Sequence, residues 1–366
     1  MNNTFGTALK FTLFGESRGS ATGGVLDGLP AGLPVRKETV RDALRRRRPE
    51  PPLGSARVEP DDFTFLSGIR EGYTTGAPLA LLIYNKDANN SVHNPEAIRP
   101  GHAEVTLWQA YGEHADFVGG GHMSGRLTAP LVALGSLAEE ALLTRGIAIG
   151  AHVLSVKDIK DIPFSPSEPQ EQIQRLRDEA FPVLERAAKV AMTTAIRQAG
   201  VAGDSLGGVL EIAVTGLPAG LGEPWFGSVE SVLSQMFYAI PGVKGVSFGD
   251  GFALTEQNGS DISDGMTVTE GKINFLANHN GGILGGMTTG TPVIAKIAIK
   301  PVPTIALPQA TFSPQKKENV TAQFQGRNDP CILPRAAAIF RAATALALGD
   351  LFTLRYGRDA LIRNTP

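Results

Sequence analysis

Apolar and polar positions along the chain follow two periods. Lys10–Phe14, Ala80–Tyr84 and Val209–Val214 are short apolar runs of strand length, and Ile294–Ile299 alternates as IAKIAI, the pattern of a half-buried strand. Helical spacing covers Arg36–Arg48, stopped by Pro49, and Val229–Tyr238, stopped before Pro241. Leu127–Thr144 is apolar at the same spacing, with a start expected at Pro130. Gln170–Gln198 reads as one long helix or two with a break at Pro182, and Arg335–Leu351 as an amphipathic-to-buried helix. Residues 49–60 and 85–105 are polar and rich in Pro and Asn, which predicts long loops; such loops inside a compact domain are usually functional or mobile. Strands and helices mix without regular βαβ alternation, so α+β layers are expected rather than a doubly wound sheet.

The pattern also repeats. Gly23-Gly24-Val25-Leu26 leads into Gly28-Leu29-Pro30-Ala31-Gly32-Leu33, and Gly207-Gly208-Val209-Leu210 leads into Gly216-Leu217-Pro218-Ala219-Gly220-Leu221. Each copy reads as strand, Pro-Gly turn, then helix. A recurring turn would explain the shared turn alone. Three elements in the same order favour a single domain, 1–366, built from two similar halves, about 1–190 and 191–366.

Composition narrows the class. The 366 residues are 42% hydrophobic and 19% charged with a formal net charge of −2, an ordinary soluble globular balance that argues against a general nucleic-acid binder. There is no eighteen-residue apolar run to span a membrane and no secretory-signal pattern at the N-terminus. A single cysteine, Cys331, leaves no internal disulfide and suits a reducing compartment, so a cytoplasmic location is expected. The six histidines lack ligand spacing, and no metal site is expected. The 43 glycines include five in the run Asn280–Gly290, NGGILGGMTTG. Such a run lets the backbone approach a flat or anionic ligand, or makes a tight structural loop. Neither a P-loop nor a Rossmann fingerprint occurs.

Candidate chemistry gathers in five places. Gly15-Glu16-Ser17-Arg18-Gly19 fits G-x-S-x-G, but the following SATGGV is a poor helix start, which disfavours a hydrolase elbow. The loop still presents Glu16, Ser17 and Arg18 at a strand end. Arg45 to Arg48 close the first helix, with Arg47 on the side of Val40, Ala43 and Leu44. Cations there complement the helix dipole, or their forks capture phosphate and carboxylate groups. Arg99 precedes His102 on a stiff Pro100-Gly101 turn, pairing an anion-fixing cation with an imidazole able to shuttle a proton. Gly119-Gly120-Gly121-His122-Met123-Ser124-Gly125-Arg126 makes an anion- or flavin-compatible turn before a helix. In Gly326-Arg327-Asn328-Asp329-Pro330, Asp329 is either a plain cap or a carboxylate tuned by Arg327.

In this order these motifs resemble the chorismate synthase family over about Phe5 to Asp350. The carriers are FGESRG (14–19), RRRP (46–49), LSGIREGYTTGAPLALLIYN (66–85), RPGHAEVT (99–106), GGGHMSGR (119–126), LGEPWFGSV (221–229), PGVKGVSFGDGF (241–252), NGGILGGMTTG (280–290), KPVPTI (300–305) and GRNDPCILPRA (326–336). The resemblance implies a β-α-β sandwich, usually a homotetramer. It implies 1,4-anti elimination of phosphate from 5-enolpyruvylshikimate 3-phosphate, giving chorismate for aromatic amino acid biosynthesis by the shikimate pathway. Reduced FMN is then required without net redox change, its electrons coming from an external flavin reductase or NADPH. By the same resemblance His102, Asp329, Arg18 and Ser17 are catalytic, and Arg47, Arg48, Arg99 and Arg126 bind substrate. Flavin contacts fall on His122, Met123, Ser124, Gly285, Lys300, Pro301, Val302, Pro303, Thr304 and Arg327. His102 matches the histidine that protonates the reduced flavin, and Asp329 the carboxylate that assists proton removal near flavin N5.

The chain departs from the family pattern at reactive positions. Arg18 stands where the family has the histidine of GESHG, and Val118 and His122 stand where it has arginines. Ser124-Gly125-Arg126-Leu127-Thr128 replaces SARET, and Asn328 replaces the histidine of GRHDP. An arginine, with a pKa above roughly 12, cannot donate a proton to a leaving phosphate, although it can stabilise the charge. Two expectations follow. If histidine and arginine have traded places between 18 and 122, both reach one pocket and synthase activity survives. Otherwise the chain is a flavin- or phosphate-binding relative with weak, altered or no synthase activity.

Overall fold

The strand-forming runs assemble into two antiparallel sheets of five strands each in the computed structural model, which describes residues 2–55, 57, 59–87, 97–116, 118–324, 326 and 328–362. The first sheet contains β1 (Thr4–Phe5), β2 (Lys10–Gly15), β3 (Ala21–Asp27), β4 (Phe63–Ser67) and β5 (Leu79–Tyr84), in the order β1-β2-β3-β5-β4. The second contains β6 (Ala148–Val156), β7 (Ile159–Lys160), β8 (Gly208–Thr215), β9 (Val243–Phe248) and β10 (Val293–Ile299), in the order β7-β6-β8-β10-β9. The helices are α1 (Lys37–Arg47), α2 (Glu104–Tyr111), α3 (Thr128–Leu143), α4 (Gln170–Leu176), α5 (Arg186–Val201), α6 (Val229–Tyr238) and α7 (Leu333–Tyr356).

Helices α3 and α7 are apolar on nearly every side, so burial on every side is their favourable state. They pack against each other between the sheets. On its other side α3 meets β3 and β5, while α7 meets β6 and β8; α1 and α6 complete the middle layer. By length and composition α7 could cross a membrane, but here 89% of its apolar window is buried. The sheet–helix–sheet layering agrees with the expected α+β sandwich.

Element boundaries depart from the sequence reading for local reasons. Helix α3 starts at Thr128, ahead of Pro130, because a first-turn proline lacks only an N–H that has no intrahelical partner anyway. The break between α4 and α5 spans residues 177–185 and includes Pro182. Helix α2 occupies the end of a segment expected to be loop.

Four strands of each sheet share one order, β2-β3-β5-β4 and β6-β8-β10-β9, and the chain visits them in the same succession, while the edge strands β1 and β7 differ in position along the chain. The sequence β2, β3, α1, β4, β5, α3 is followed by β6, β8, α6, β9, β10, α7. The succession restarts at Ala148, not near residue 190. Helices α4 and α5 are inserted between the paired strands β6 and β8, which moves the midpoint of the chain away from the structural join.

Both GLPAGL turns are clasped by a threonine. Thr74 Oγ1 donates to Pro30 O at 2.6 Å and accepts from Leu33 N at 2.9 Å. Thr288 Oγ1 donates to Pro218 O at 2.6 Å and accepts from Leu221 N at 2.9 Å. Thr288 lies in the glycine-rich run 280–290, which forms a small hairpin, Ile283–Leu284 with Met287–Thr288. The run therefore builds the clasp of the second turn.

The α3–α7 crossing depends on a missing side chain. A Cβ at Gly135 would lie 2.7 Å from both the carbonyl oxygen and the Cβ of Ala342. Alanine ordinarily gains about 1 kcal/mol over glycine inside a helix, whereas overpacking a core costs about 1–3 kcal/mol. Gly135→Ala is therefore expected to lower stability by about 1–2 kcal/mol, against the propensity trend; urea denaturation at equal protein concentration reads the sign.

Candidate active site

Between the two halves of the middle layer opens a cavity of about 640 Å³, within the roughly 300–1,000 Å³ usual for ligand sites. One wall comes from the C-terminal end of α1, the β2–β3 loop and the chain before α3. The opposite wall comes from the C-terminal end of α6, the chain after β10 and the first turns of α7. The walls differ in chemistry. Ile240, Val243, Ile299, Ile332, Ile339 and Phe340 give an apolar side. Among the described residues, nine cationic side chains (Arg18, Arg47, Arg48, Arg57, Arg99, Arg126, Lys244, Lys300 and Arg335) line the cavity against two carboxylates, Glu59 and Asp329. A chain of net charge −2 that concentrates so many cations in one cavity has built it for anions.

The cations are held by design of the backbone around them. Asp61, fully buried and in the left-handed region at φ 53°, stands behind the wall. It receives Arg47 Nη2 and Arg48 Nε, each at 3.3 Å, and Arg126 Nη1. Burial alone would raise the Asp61 pKa, but the charges of Arg47, Arg126 and Arg48 outweigh it and hold the group below its usual value. Arg47 also donates to Thr128 Oγ1 at 3.2 Å, yet its buried Nε has no partner among the described residues. Burial pushes its pKa down to about 10, with Asp61 opposing and Arg335 and Arg126 adding to the fall. Arg126 is steadied further by Asn85 Oδ1 at 2.9 Å.

A second group surrounds His102. Arg99 pairs with Glu104 (Nε to Oε1, 2.9 Å) and reaches Thr304 Oγ1 at 3.1 Å, while Lys300 Nζ donates to Gly101 O at 2.6 Å. His102 Nδ1 accepts from Glu104 N at 3.3 Å, which puts the ring hydrogen of the neutral form on Nε2. Burial, then the charges of Arg99 and Lys300, push the His102 pKa down to about 4 despite Glu104. Across the cavity Asp329 accepts from Ser55 N at 2.8 Å and Arg335 Nη2 at 2.6 Å. The three glycines 119–121 all have positive φ. A Cβ at Gly119 would lie 2.8 Å from Arg18 Nε, and one at Gly121 2.2 Å from Asp116 O. Their lack of side chains lets Arg18 and the 119–121 backbone share the cavity rim.

Most residues singled out in the sequence meet here: Ser17, Arg18, Arg47, Arg48, Arg99, His102, Met123, Ser124, Arg126, Lys300, Pro301, Val302, Pro303, Thr304 and Asp329. Two do not. His122 turns away, its Nδ1 on Gly15 O at 2.8 Å and its Nε2 on Asn3 Oδ1 at 3.1 Å, so the expected exchange of His and Arg within one pocket is not made. Gly285 sits in the hairpin turn between Leu284 and Gly286, outside the cavity walls. Arg327 lies outside the described residues. The sequence reading missed Asp61, Arg57, Glu59, Lys244 and Arg335. Arg57 and Glu59 lie in the stretch 49–60 read only as a loop, and their ion pair (Nη2 to Oε1, 2.7 Å) is made there.

A family model for chorismate synthase matches residues 9–353. The chorismate synthase of Pyrococcus abyssi (strain GE5 / Orsay) is 40% identical over 364 residues, covering 96% of this chain and 97% of that protein. The chorismate synthase of Pyrobaculum neutrophilum is 38% identical over 351 residues, 95% of each chain. A solved structure titled "Crystal Structure of Chorismate Synthase" superimposes with a TM-score of 0.78 at 27% identity, covering 97% of this chain and 94% of that one. Matched from end to end in sequence and in fold, the chain belongs to the chorismate synthase family.

Proposed function

We propose that the protein is a chorismate synthase, a carbon–oxygen lyase that eliminates phosphate from 5-enolpyruvylshikimate 3-phosphate to give chorismate, using reduced FMN. The reading includes a homotetramer in the cytoplasm, supplied with reduced flavin by an external reductase or NADPH. It also takes the chain as one domain made of two copies of a β-β-α-β-β-α unit, supported by the shared strand order and the paired threonine clasps. The observation that carries the reading is the nine-cation cavity in a chain of this family. A substrate with a phosphate and two carboxylates needs that excess of positive charge.

The residues fit a flavin beside the substrate. The apolar side formed by Ile240, Ile299, Ile339 and Phe340 suits a flat ring system, and Met123, Ser124 and the stretch Lys300 to Thr304 would hold it from the edge. Reduced FMN, when bound, supplies an electron-rich ring next to the substrate. Arg47, Arg48, Arg99 and Arg126 bind and orient the anionic groups. Arg18 keeps its charge throughout and stabilises the departing phosphate without donating a proton. His102 holds its ring hydrogen on Nε2, and Asp329, with its position fixed by Ser55 and Arg335, accepts a proton. A second reading, a binding relative with weak, altered or no synthase activity, is favoured by one observation. Arg18 occupies the cavity while His122 does not.

Anaerobic incubation of the purified protein with chemically reduced FMN and 5-enolpyruvylshikimate 3-phosphate is expected to yield chorismate above the enzyme-free rate; no product would leave the second reading standing. Arg47→Met should lower kcat/KM by about 10²–10³-fold, the typical loss for one preorganised charge-stabilising group. Its fold should survive, because Asp61 keeps Arg48 and Arg126.

His102 adds a pH dependence. The unfolded chain takes up this proton near 6.5 and the folded protein only near 4, so the folded state binds fewer protons between those values. Stability of the ligand-free protein should therefore fall as pH drops through that window, and His102→Gln should remove that part of the loss. Urea denaturation at pH 7 and pH 5 measures the difference between the two proteins.

A further inference from the structure

Ser17 makes one hydrogen bond through its hydroxyl among the described residues, and in it the hydroxyl oxygen is the acceptor. Arg57 Nη1 donates to Ser17 Oγ at 3.1 Å, and Arg57 Nη2 donates to Ser17 O at 3.1 Å. The other edge of the same guanidinium is locked by Glu59 Oε1, at 2.7 Å from Nη2 and 3.3 Å from Nε. Glu59 is itself tied to the end of the first sheet, accepting from Lys86 N at 3.0 Å and Asp87 N at 3.3 Å. Ser17 N donates to Gly121 O at 3.0 Å, which fixes the backbone on its other side. Ser17 is 1% exposed and lines the cavity.

A serine hydroxyl is ordinarily ambivalent, able to donate or to accept. One that already accepts from a rigidly held cation keeps its hydrogen pointing away from that cation. Hydrogen bonds in such a chain also polarise one another, so the hydroxyl becomes a stronger donor. Ser17 lines the cavity, and with Arg57 on one side of its hydroxyl the hydrogen is turned from the guanidinium toward that cavity. We propose that Arg57 is a positioning residue that acts through Ser17, occupying one acceptor site of its hydroxyl so that the hydroxyl hydrogen is directed to an anionic oxygen of the substrate. The inference rests on the synthase reading for the identity of that substrate, but the anion contact itself is open to measurement without turnover.

The pairing distinguishes two roles for Arg57. If its guanidinium met the ligand directly, its removal would add to the loss of the Ser17 hydroxyl. If it acts through Ser17, its removal changes little once the hydroxyl is gone. Inorganic phosphate binding to the full-length protein, by calorimetry at fixed ionic strength, reads this in Ser17→Ala, Arg57→Gln and the double variant. Each single change is expected to weaken binding about tenfold, the scale of one hydrogen bond to a charged group. The double variant should be no more than about threefold weaker than the weaker single. A double variant about a hundredfold weaker than the unaltered protein would overturn the proposal, as would unchanged binding in Arg57→Gln. Should Arg57→Gln not fold, Arg57→Lys completes the same cycle, because its single ammonium cannot bridge Ser17 Oγ, Ser17 O and Glu59 together. In that arm, a further tenfold loss in the Ser17→Ala background, or no loss with Ser17 present, overturns it. Absence of chorismate from the unaltered protein would undo the synthase reading and leave this coupling to stand or fall on phosphate binding.

Discussion

A single buried carboxylate, Asp61, holds three guanidinium groups in register, and the anion-binding character of the molecule depends on it. Burying one unpaired cation costs several kcal/mol, so Arg47 and Arg126 could not remain in the interior without a counter-charge. One carboxylate neutralises only one of the three. The surplus, together with the partnerless Nε of Arg47, is a standing demand for an anion. The backbone cost is visible too, since Asp61 occupies a left-handed conformation that a residue with a Cβ rarely adopts. The fold meets that cost beforehand, so a ligand finds the donors already oriented.

The cavity owes its two-sided chemistry to where it lies in the repeated order of elements. The C-terminal end of α1 and the N-terminal end of α3 form one wall; their counterparts in the later succession, the ends of α6 and α7, face them. At matching helix ends the chain places Arg47 and Arg48 in one case and Ile240 and Pro241 in the other. The apolar side chains of the second wall, set among Lys244, Lys300 and Arg335, lower the local dielectric, and each charge then acts on a bound anion more strongly than it would at an open surface. The same geometry offers a flat ring an apolar surface within reach of the substrate.

Much of this was legible in the sequence, and the failures have identifiable causes. The GLPAGL echo located both turns because proline and glycine encode turns locally. Their clasps lie in Thr74-Thr75-Gly76-Ala77-Pro78 and Thr288-Thr289-Gly290-Thr291-Pro292; of the two readings open for the glycine-rich run 280–290, ligand cradle or tight structural loop, the clasp of Thr288 on Pro218 O is the structural one. The join between the successions was misplaced because the α4–α5 insertion is periodic in its own right and carries no mark of being inserted. Arg47 was found because it shares a helix face with apolar residues. Asp61 was not, because its three partners come from residues 47, 48 and 126 and meet only after folding. The direction of the His122 ring was not legible for the same reason: it is set by Gly15 O and Asn3, contacts that no local pattern encodes.

The arginine at position 18 alters how the site responds to pH more than how it attracts anions. A histidine there would make one of the cavity charges depend on pH near neutrality. Arg18 does not titrate in that range, and even the strongly desolvated Arg47 stays charged to about pH 10. Among the described residues His102 is the imidazole in the cavity wall, and burial, then the charges of Arg99 and Lys300, push its pKa down to about 4. A polyanion settling among these cations offsets the charges of Arg99 and Lys300, which removes part of what depresses His102 and moves its pKa upward. Burial, the larger part of what depresses His102, stays in place, so the ring answers to the cavity as well as to its charged neighbours.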